Sequence, residues 1–326
     1  MKKKTKVALS VVASVVAVLF IALMIYYFGA SFPAFDAIAK KEFGIPGLNT
    51  DFCPQGLAYD DTIDTFLVGG YMSKGGASRV YFVNYGTKEL EKYVTFSEEG
   101  AAYTGHCGGV TISGDYGWIV GDKKVHRFSY LDAKNAENGG VGDIIDSFSP
   151  GNGADFMLVR DNKLIVGEFF RKSKYDTDES HHIKVSGGKT NYALSLAFEM
   201  SASGDCGLAS LEPVYGISTT SLVQGMTFTK DGNIVLSTSY SIPASKILVY
   251  KNVLNDAATK SVKINETDVP VYVLDDEALV KSVEAPCMSE EIVLAHDKVF
   301  VLFESACKKY KMFTRTRLTD VYSLSL

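Results

Sequence analysis

The chain has 326 residues, of which 46% are hydrophobic, 22% charged and 12% aromatic, and its formal net charge is −5. That apolar and aromatic content excludes a disordered polypeptide, and the acidic balance excludes a general nucleic-acid binder, which needs a basic face. No Walker loop, dinucleotide-binding glycine fingerprint, HExxH or Gly-x-Ser-x-Gly elbow occurs, so no reaction class is marked by motif.

Residues 7–29 carry no charge and are mostly Val, Ala, Leu, Ile and Phe. At about 1.5 Å per residue, a helix of that length spans roughly 30 Å of hydrocarbon. Lys2, Lys3, Lys4 and Lys6 precede it, and the first acidic residue is Asp36. The positive-inside rule keeps those lysines in the cytoplasm and sends the remainder outside. Tyr26, Tyr27 and Phe28 suit the aromatic belt at the outer interface. The expectation is a basic tail (1–6), a single-pass signal anchor (7–29), a linker with a ring-closing strand (30–50) and an extracytoplasmic domain (51–326). The alternative is a secreted protein, released by signal cleavage near the small residues of Gly29–Ala34. Without the leading lysines, 29 basic and 38 acidic residues remain, so the domain is near −9.

Past residue 50 the pattern is β throughout, with Val-, Ile-, Phe- and Tyr-rich runs between Gly, Asp, Asn and Ser turns. Gln55-Gly56-Leu57-Ala58-Tyr59 parallels Gln224-Gly225-Met226-Thr227-Phe228, and Tyr71 and Tyr240 each follow their glutamine by 16 residues. A third run follows in both, at Ser78–Val83 and Ser245–Tyr250. Weaker copies begin near 108, 154 and 290. Fourth strands are expected at Lys92–Phe96, Ile144–Phe148, Val214–Ile217 and Val269–Leu274, and residues 43–49 are expected to complete the last unit. Repeats of about four antiparallel strands predict an all-β chain folded as a β-propeller of five blades, with six also able to fit. A β-sandwich would not explain the spaced Gln-Gly copies.

The PQGLAYD start, the VQGMTFTKDGNIVLSTSY unit and the SKILVYKN strand resemble bacterial extracytoplasmic β-propellers of the broad NHL, YVTN and SMP-30/strictosidine-synthase-like group. The resemblance covers most of residues 50–326. It implies a ligand site at one mouth of the central channel. In the lactonases of that group it also implies a central Ca²⁺ held by Glu, Asn and Asp. Here Gln55 and Gln224 stand where asparagines are expected. Ca²⁺ is therefore carried as a candidate cofactor with no assigned ligands.

Aligning the units places Gln55, His106, Asp155, Gln224 and Glu290–Glu291 at the start of the first strand. The end of the second strand carries Gly70, Asp122, Glu168, Ser239 and Glu304 in successive units. Carboxylates converging on one mouth repel one another, and some acquire raised pKa values suited to acid–base work. Asp155, Glu168, Glu290 and Glu304, with His106, are the candidate catalytic groups; Gln55, Gln224, Tyr71, Tyr240 and Asp122 are candidate ligand contacts. Equally, each carboxylate could accept backbone N–H bonds from a neighbouring unit. Five cysteines without CxxC spacing suit an oxidising compartment, and the alignment suggests Cys53–Cys107 and Cys287–Cys307 disulfides. The expected function is recognition, with hydrolysis or cleavage as an extension, of a small molecule or glycan at an acidic mouth. The alternative is a non-catalytic interaction module using the propeller face or the Tyr175–His182 loop.

Overall fold

The computed structural model describes residues 2–28 and 30–326, and within the N-terminal helix the side chains of 7–8 and 10–26. Gly29, and the side chains of the four leading lysines, Tyr27 and Phe28, lie outside the described residues. Helix α1 (Lys2–Phe28) has no polar stripe, and Val12, Val16, Leu19, Phe20 and Ile25 stand exposed around it. A helix apolar on every side has no single face to bury against a core. Among the described residues no helix is long and apolar enough to cross a membrane; the uninterrupted described stretch is 10–26.

The short helix α2 (Pro33–Asp36) seats the chain on the domain through Phe35, which is buried 6.0 Å from the Phe303 ring and 5.7 Å from Tyr322. Strand β1 (Ala39–Gly44) follows. The first four-stranded unit is β2 (Phe52–Asp60), β3 (Thr65–Met72), β4 (Arg79–Asn84) and β5 (Leu90–Glu98), with a two-residue β6 (Ala101–Ala102) paired to β5. The second is β7 (Val110–Ser113), β8 (Tyr116–Gly121), β9 (Lys124–Ser129) and β10 (Gly140–Phe148), with helix α3 (Tyr130–Asn135) before β10. The third is β11 (Phe156–Arg160), β12 (Lys163–Gly167), β15 (Ala193–Glu199) and β16 (Tyr215–Thr219), carrying the small hairpin β13 (Ile183–Lys184) and β14 (Thr190–Asn191). The fourth is β17 (Val223–Phe228), β18 (Ile234–Thr238), β19 (Ser245–Tyr250) and β22 (Leu279–Ala285), with the hairpin β20 (Lys260–Ile264) and β21 (Thr267–Val273) inserted before its last strand. The last is β23 (Ser289–Ala295), β24 (Lys298–Phe303) and β25 (Asp320–Leu324), completed by β1.

The first strands touch in a closed cycle, β2 to β7 to β11 to β17 to β23 and back to β2. That closed cycle of meanders is a β-propeller. Apolar side chains fill the gaps between neighbouring units: Phe156, Ile165, Met226, Phe228 and Leu236 form one such layer between the third and fourth. Each fully buried Phe or Leu contributes roughly 1.5–3 kcal/mol.

Two strand expectations are corrected. Val269–Leu274 is not the fourth strand of its unit. It lies largely in β21, which pairs parallel to β16 of the preceding unit, Gly216 opposite Val271. Its alternating Val269 and Val271 are buried there, and the added hairpin covers an edge that would otherwise be open. The ring-closing strand is Ala39–Gly44 rather than 43–49, pairing Ala39 with Leu324 and Gly44 with Asp320.

The repeated Gln-Gly pairs have a geometric cause. Register shifts fall between Pro54 and Gly56, Val223 and Gly225, and Ser289 and Ile292. Each is an extra residue at the head of an inner strand, and such bulges re-aim a side chain. The glycines then permit close approach at the axis. A Cβ on Gly225 would lie 2.7 Å from Cα of Glu291, and one on Gly109 would lie 2.9 Å from Glu291 Oε1.

Candidate functional site

A cavity of ≈ 530 Å³ opens where the inner strands begin. Successive units supply Gln55, His106, Asp155, Gln224 and Glu304 to its wall. Phe169, Lys174 and Tyr175 come from the loop after β12, Tyr240 from the end of β18, and Lys309 and Tyr310 from the segment after β24.

Gln55 links three units. Its Nε2 donates to Pro54 O and to Glu304 Oε2, both at 2.8 Å. Both amide hydrogens are therefore committed, so Oε1 accepts, and the His106 Nε2–H donates to it at 2.8 Å. Burial, reinforced by Lys309, holds the His106 pKa below its ordinary value and keeps the ring neutral. The Tyr71 ring stacks on His106 at 4.5 Å, and Lys309 Nζ donates to the Tyr71 hydroxyl at 2.6 Å.

The acidic groups differ in what they face. Burial pushes the Glu304 carboxyl up to about 8. Glu290 lies against it, and burial together with Glu304 raises Glu290 well above the glutamate range. Two buried carboxyls side by side cannot both ionise cheaply, so the pair holds a proton at neutral pH. Asp155 opens onto the cavity; crowding by the wall, opposed by the Phe169 N–H donated to Oδ2 at 2.7 Å, raises its pKa to about 6.

Other expected site residues stand elsewhere. Glu168 is buried behind the wall and does not line the cavity. It accepts from Leu194 N at 2.8 Å and Gly153 N at 3.2 Å, and bonds His181 Nδ1 at 2.9 Å, so it ties down the loop after β12. Asp122 is an exposed turn residue between β8 and β9, at φ 55°. Glu290 sits beneath Glu304 rather than in the cavity wall. Tyr71 reaches the site by stacking on His106, and Tyr240 lines it with its hydroxyl accepting from Lys174 Nζ at 2.8 Å.

Glu291 has the role least visible in the sequence. Its side chain enters the axis and accepts backbone N–H bonds from Leu57 at 2.5 Å, Val110 at 3.1 Å and Met157 at 3.2 Å. These come from the inner strands of the first three units. Burial raises its pKa, against the pull of those three donors. The only hint was a second Glu beside Glu290 at a position where three other units carry Gly (Gly56, Gly109 and Gly225).

The cysteine pairing also differs from expectation. Cys53 Sγ lies 3.3 Å from Cys307 Sγ, whereas Cys107 packs against Gly69 and Gly70; all five are thiols here. Closure of the ring sets the first unit beside the last, a proximity that aligned repeat positions do not encode. The hydrogen bond from Cys307 draws the Cys53 thiol down to about 7. With oxidised glutathione, the pair is expected to lose two hydrogens and join, releasing two molecules of reduced glutathione. Alkylation and peptide mapping of the unfolded product should then label Cys107, Cys206 and Cys287 only; a Cys53–Cys107 link would contradict this.

Among the described residues, no group of three or more His, Cys, Asp or Glu side chains is placed to hold a metal ion, so the Ca²⁺ expectation gains no ligands. No family model matches the chain, and no curated protein matches it. Among solved structures, the PQQ-bound aldose sugar dehydrogenase of Streptomyces coelicolor is similar over 88% of this chain and 96% of its own, with 14% identity and TM-score 0.47. The glutaminyl cyclase of Myxococcus xanthus covers 88% and 95%, with 10% identity and TM-score 0.46. The WD40 β-propeller domain of Doa1 covers 87% and 97%, with 9% identity and TM-score 0.42. Likeness at this level carries no argument about activity, and the fold rests on the strand order above.

Proposed function

We propose that this chain is a membrane-anchored, extracytoplasmic five-bladed propeller that binds a small polyhydroxylated ligand, such as a glycan unit, in the cavity at its mouth. The observation that carries the reading is the continuous His106–Gln55–Glu304 hydrogen-bond chain opening on a ≈ 530 Å³ cavity walled by Phe169, Tyr175, Tyr240 and Tyr310. Aromatic faces suit the C–H faces of a sugar ring, and amide and carboxyl groups suit its hydroxyls. Asp155, Glu168 and Glu291 already accept backbone N–H bonds, which favours binding over cleavage. Of the two raised carboxyls that line the cavity, Asp155 at about 6 and Glu304 at about 8, Glu304 keeps its proton at neutral pH, so any hydrolysis would use it as the acid. The exposed, uncharged stretch 10–26 of α1 supports the anchor, with the lysine-led end inside. The group resemblance of the Gln-Gly units belongs to the same reading.

Calorimetric titration of the full chain with a panel of mono- and oligosaccharides should find one ligand whose affinity falls about tenfold or more in Glu304→Gln and in Tyr240→Ala. A panel in which no sugar binds, or in which both variants bind like the parent, removes the mouth as the site. Any accompanying cleavage should fade as pH rises through about 8, where Glu304 ionises.

A further inference from the structure

The segment after β24 has two sides. One side, Lys309 and Tyr310, lines the cavity. The other side ends in Met312 and Phe313, 69% and 63% exposed, beside exposed Lys311. This tip is not a loose excursion. Tyr310 N and Lys311 N both bond Cys307 O, Phe313 N bonds Tyr310 O at 2.8 Å, and buried Thr314 donates to Ser305 O at 2.7 Å. Leu318 N bonds Ser305 Oγ at 3.1 Å. A braced turn therefore holds two large apolar side chains in water, which is unusual unless something covers them.

Its charge says what that is. Residues 305–319 contain Lys308, Lys309, Lys311, Arg315 and Arg317 and no acidic residue, on a domain that is acidic overall. Lys308 reaches towards Asp51 at 3.9 Å, and Lys309 is held by Tyr71. Lys311, Arg315 and Arg317 are left around the apolar tip. Its position agrees, because the Arg315 guanidinium lies 5.1 Å from the ring of Tyr26, in the last turn of α1.

We propose that this turn is a membrane-docking surface for an anionic bilayer. Met312 and Phe313 enter the headgroup–acyl boundary, while Lys311, Arg315 and Arg317 meet the acidic headgroups. The proposal rests on the reading of α1 as the anchor. Basic side chains near such a surface each strengthen partitioning roughly fivefold, and buried apolar groups add to this. Because the same segment lines the cavity, docking holds the ligand site at headgroup level.

The test uses the full chain in vesicles of phosphatidylcholine, or of phosphatidylcholine and phosphatidylglycerol in equal parts, with brominated acyl chains as quenchers. The single native tryptophan, Trp118, is 1% exposed, so Phe313→Trp adds a distinguishable reporter. The added indole should be quenched by about half in anionic vesicles and much less in neutral ones. Charge reversal at Lys311 and Arg317, in the same background, should abolish the difference. Flotation with the vesicles reports α1 separately. A chain that floats while its reporter stays unquenched overturns the docking surface and leaves the anchor intact. Concentration-dependent cross-linking through Phe313→Cys would identify a second copy as the occupant and overturn it equally. A chain that does not float overturns both readings.

Discussion

Glu291→Ala should cost the domain roughly 4–6 kcal/mol or prevent it from folding. Three backbone N–H groups from three units lose their acceptor at once. Each orphaned buried donor costs roughly 1–3 kcal/mol, and effects above about 4 kcal/mol arise from losses of this kind. Glu291→Gln keeps one acceptor oxygen but turns an NH2 towards a backbone donor, so an intermediate loss is expected. Urea unfolding at neutral pH measures both. A loss below about 1 kcal/mol for the alanine variant would mean that water replaces the carboxylate without penalty, and the axial role would be wrong.

Glu304→Gln should act in the opposite direction on stability while weakening binding of the proposed ligand about tenfold or more. Between the ordinary glutamate range and about 8, folded Glu304 holds a proton that the unfolded chain releases. Stability linked to that proton is complete at low pH, falls as pH rises through this window, and is flat above it. Asp155, raised to about 6, adds a decline of the same sign at lower pH. The glutamine removes the Glu304 share and relieves Glu290. The variant should melt within error of the parent near pH 5 and about 2–5 °C higher near pH 8. Scanning calorimetry across pH 5–9 checks this. A parent whose melting temperature climbs from pH 6 to 8 would show that the carboxyl pair is already ionised and compensated.

The sequence exposed the parts of this molecule that repeat. Gln55 and Gln224 were legible because two of the three bulges are followed by the same close approach at a glycine, so the Gln-Gly pair recurs there. His106, Asp155 and Glu304 were found by carrying that register into weaker copies, and the cavity gathers all three. What does not repeat stayed hidden. Glu291 is unique because only one side chain can occupy the axis. Lys309 and Tyr310 lie in a connection between second and third strands whose length and residues do not repeat from unit to unit. The β20–β21 hairpin alternates like any edge strand, and nothing local says that it pairs with the preceding unit. Glu168 occupied the expected position but faces Leu194, Gly153 and His181, since a period-two pattern gives a side chain's face and not its partner.

The closing strand imposes an order on biogenesis. β1 is made long before its partner β25, with Ala39 opposite Leu324 and all the other units between them. During synthesis it must wait, unpaired, while every intervening strand emerges. An idle strand is a template for mispairing. Ala39–Gly44 reads AKKEFG, with Lys40 and Lys41 exposed, so the waiting strand carries its own charged guard against premature partners.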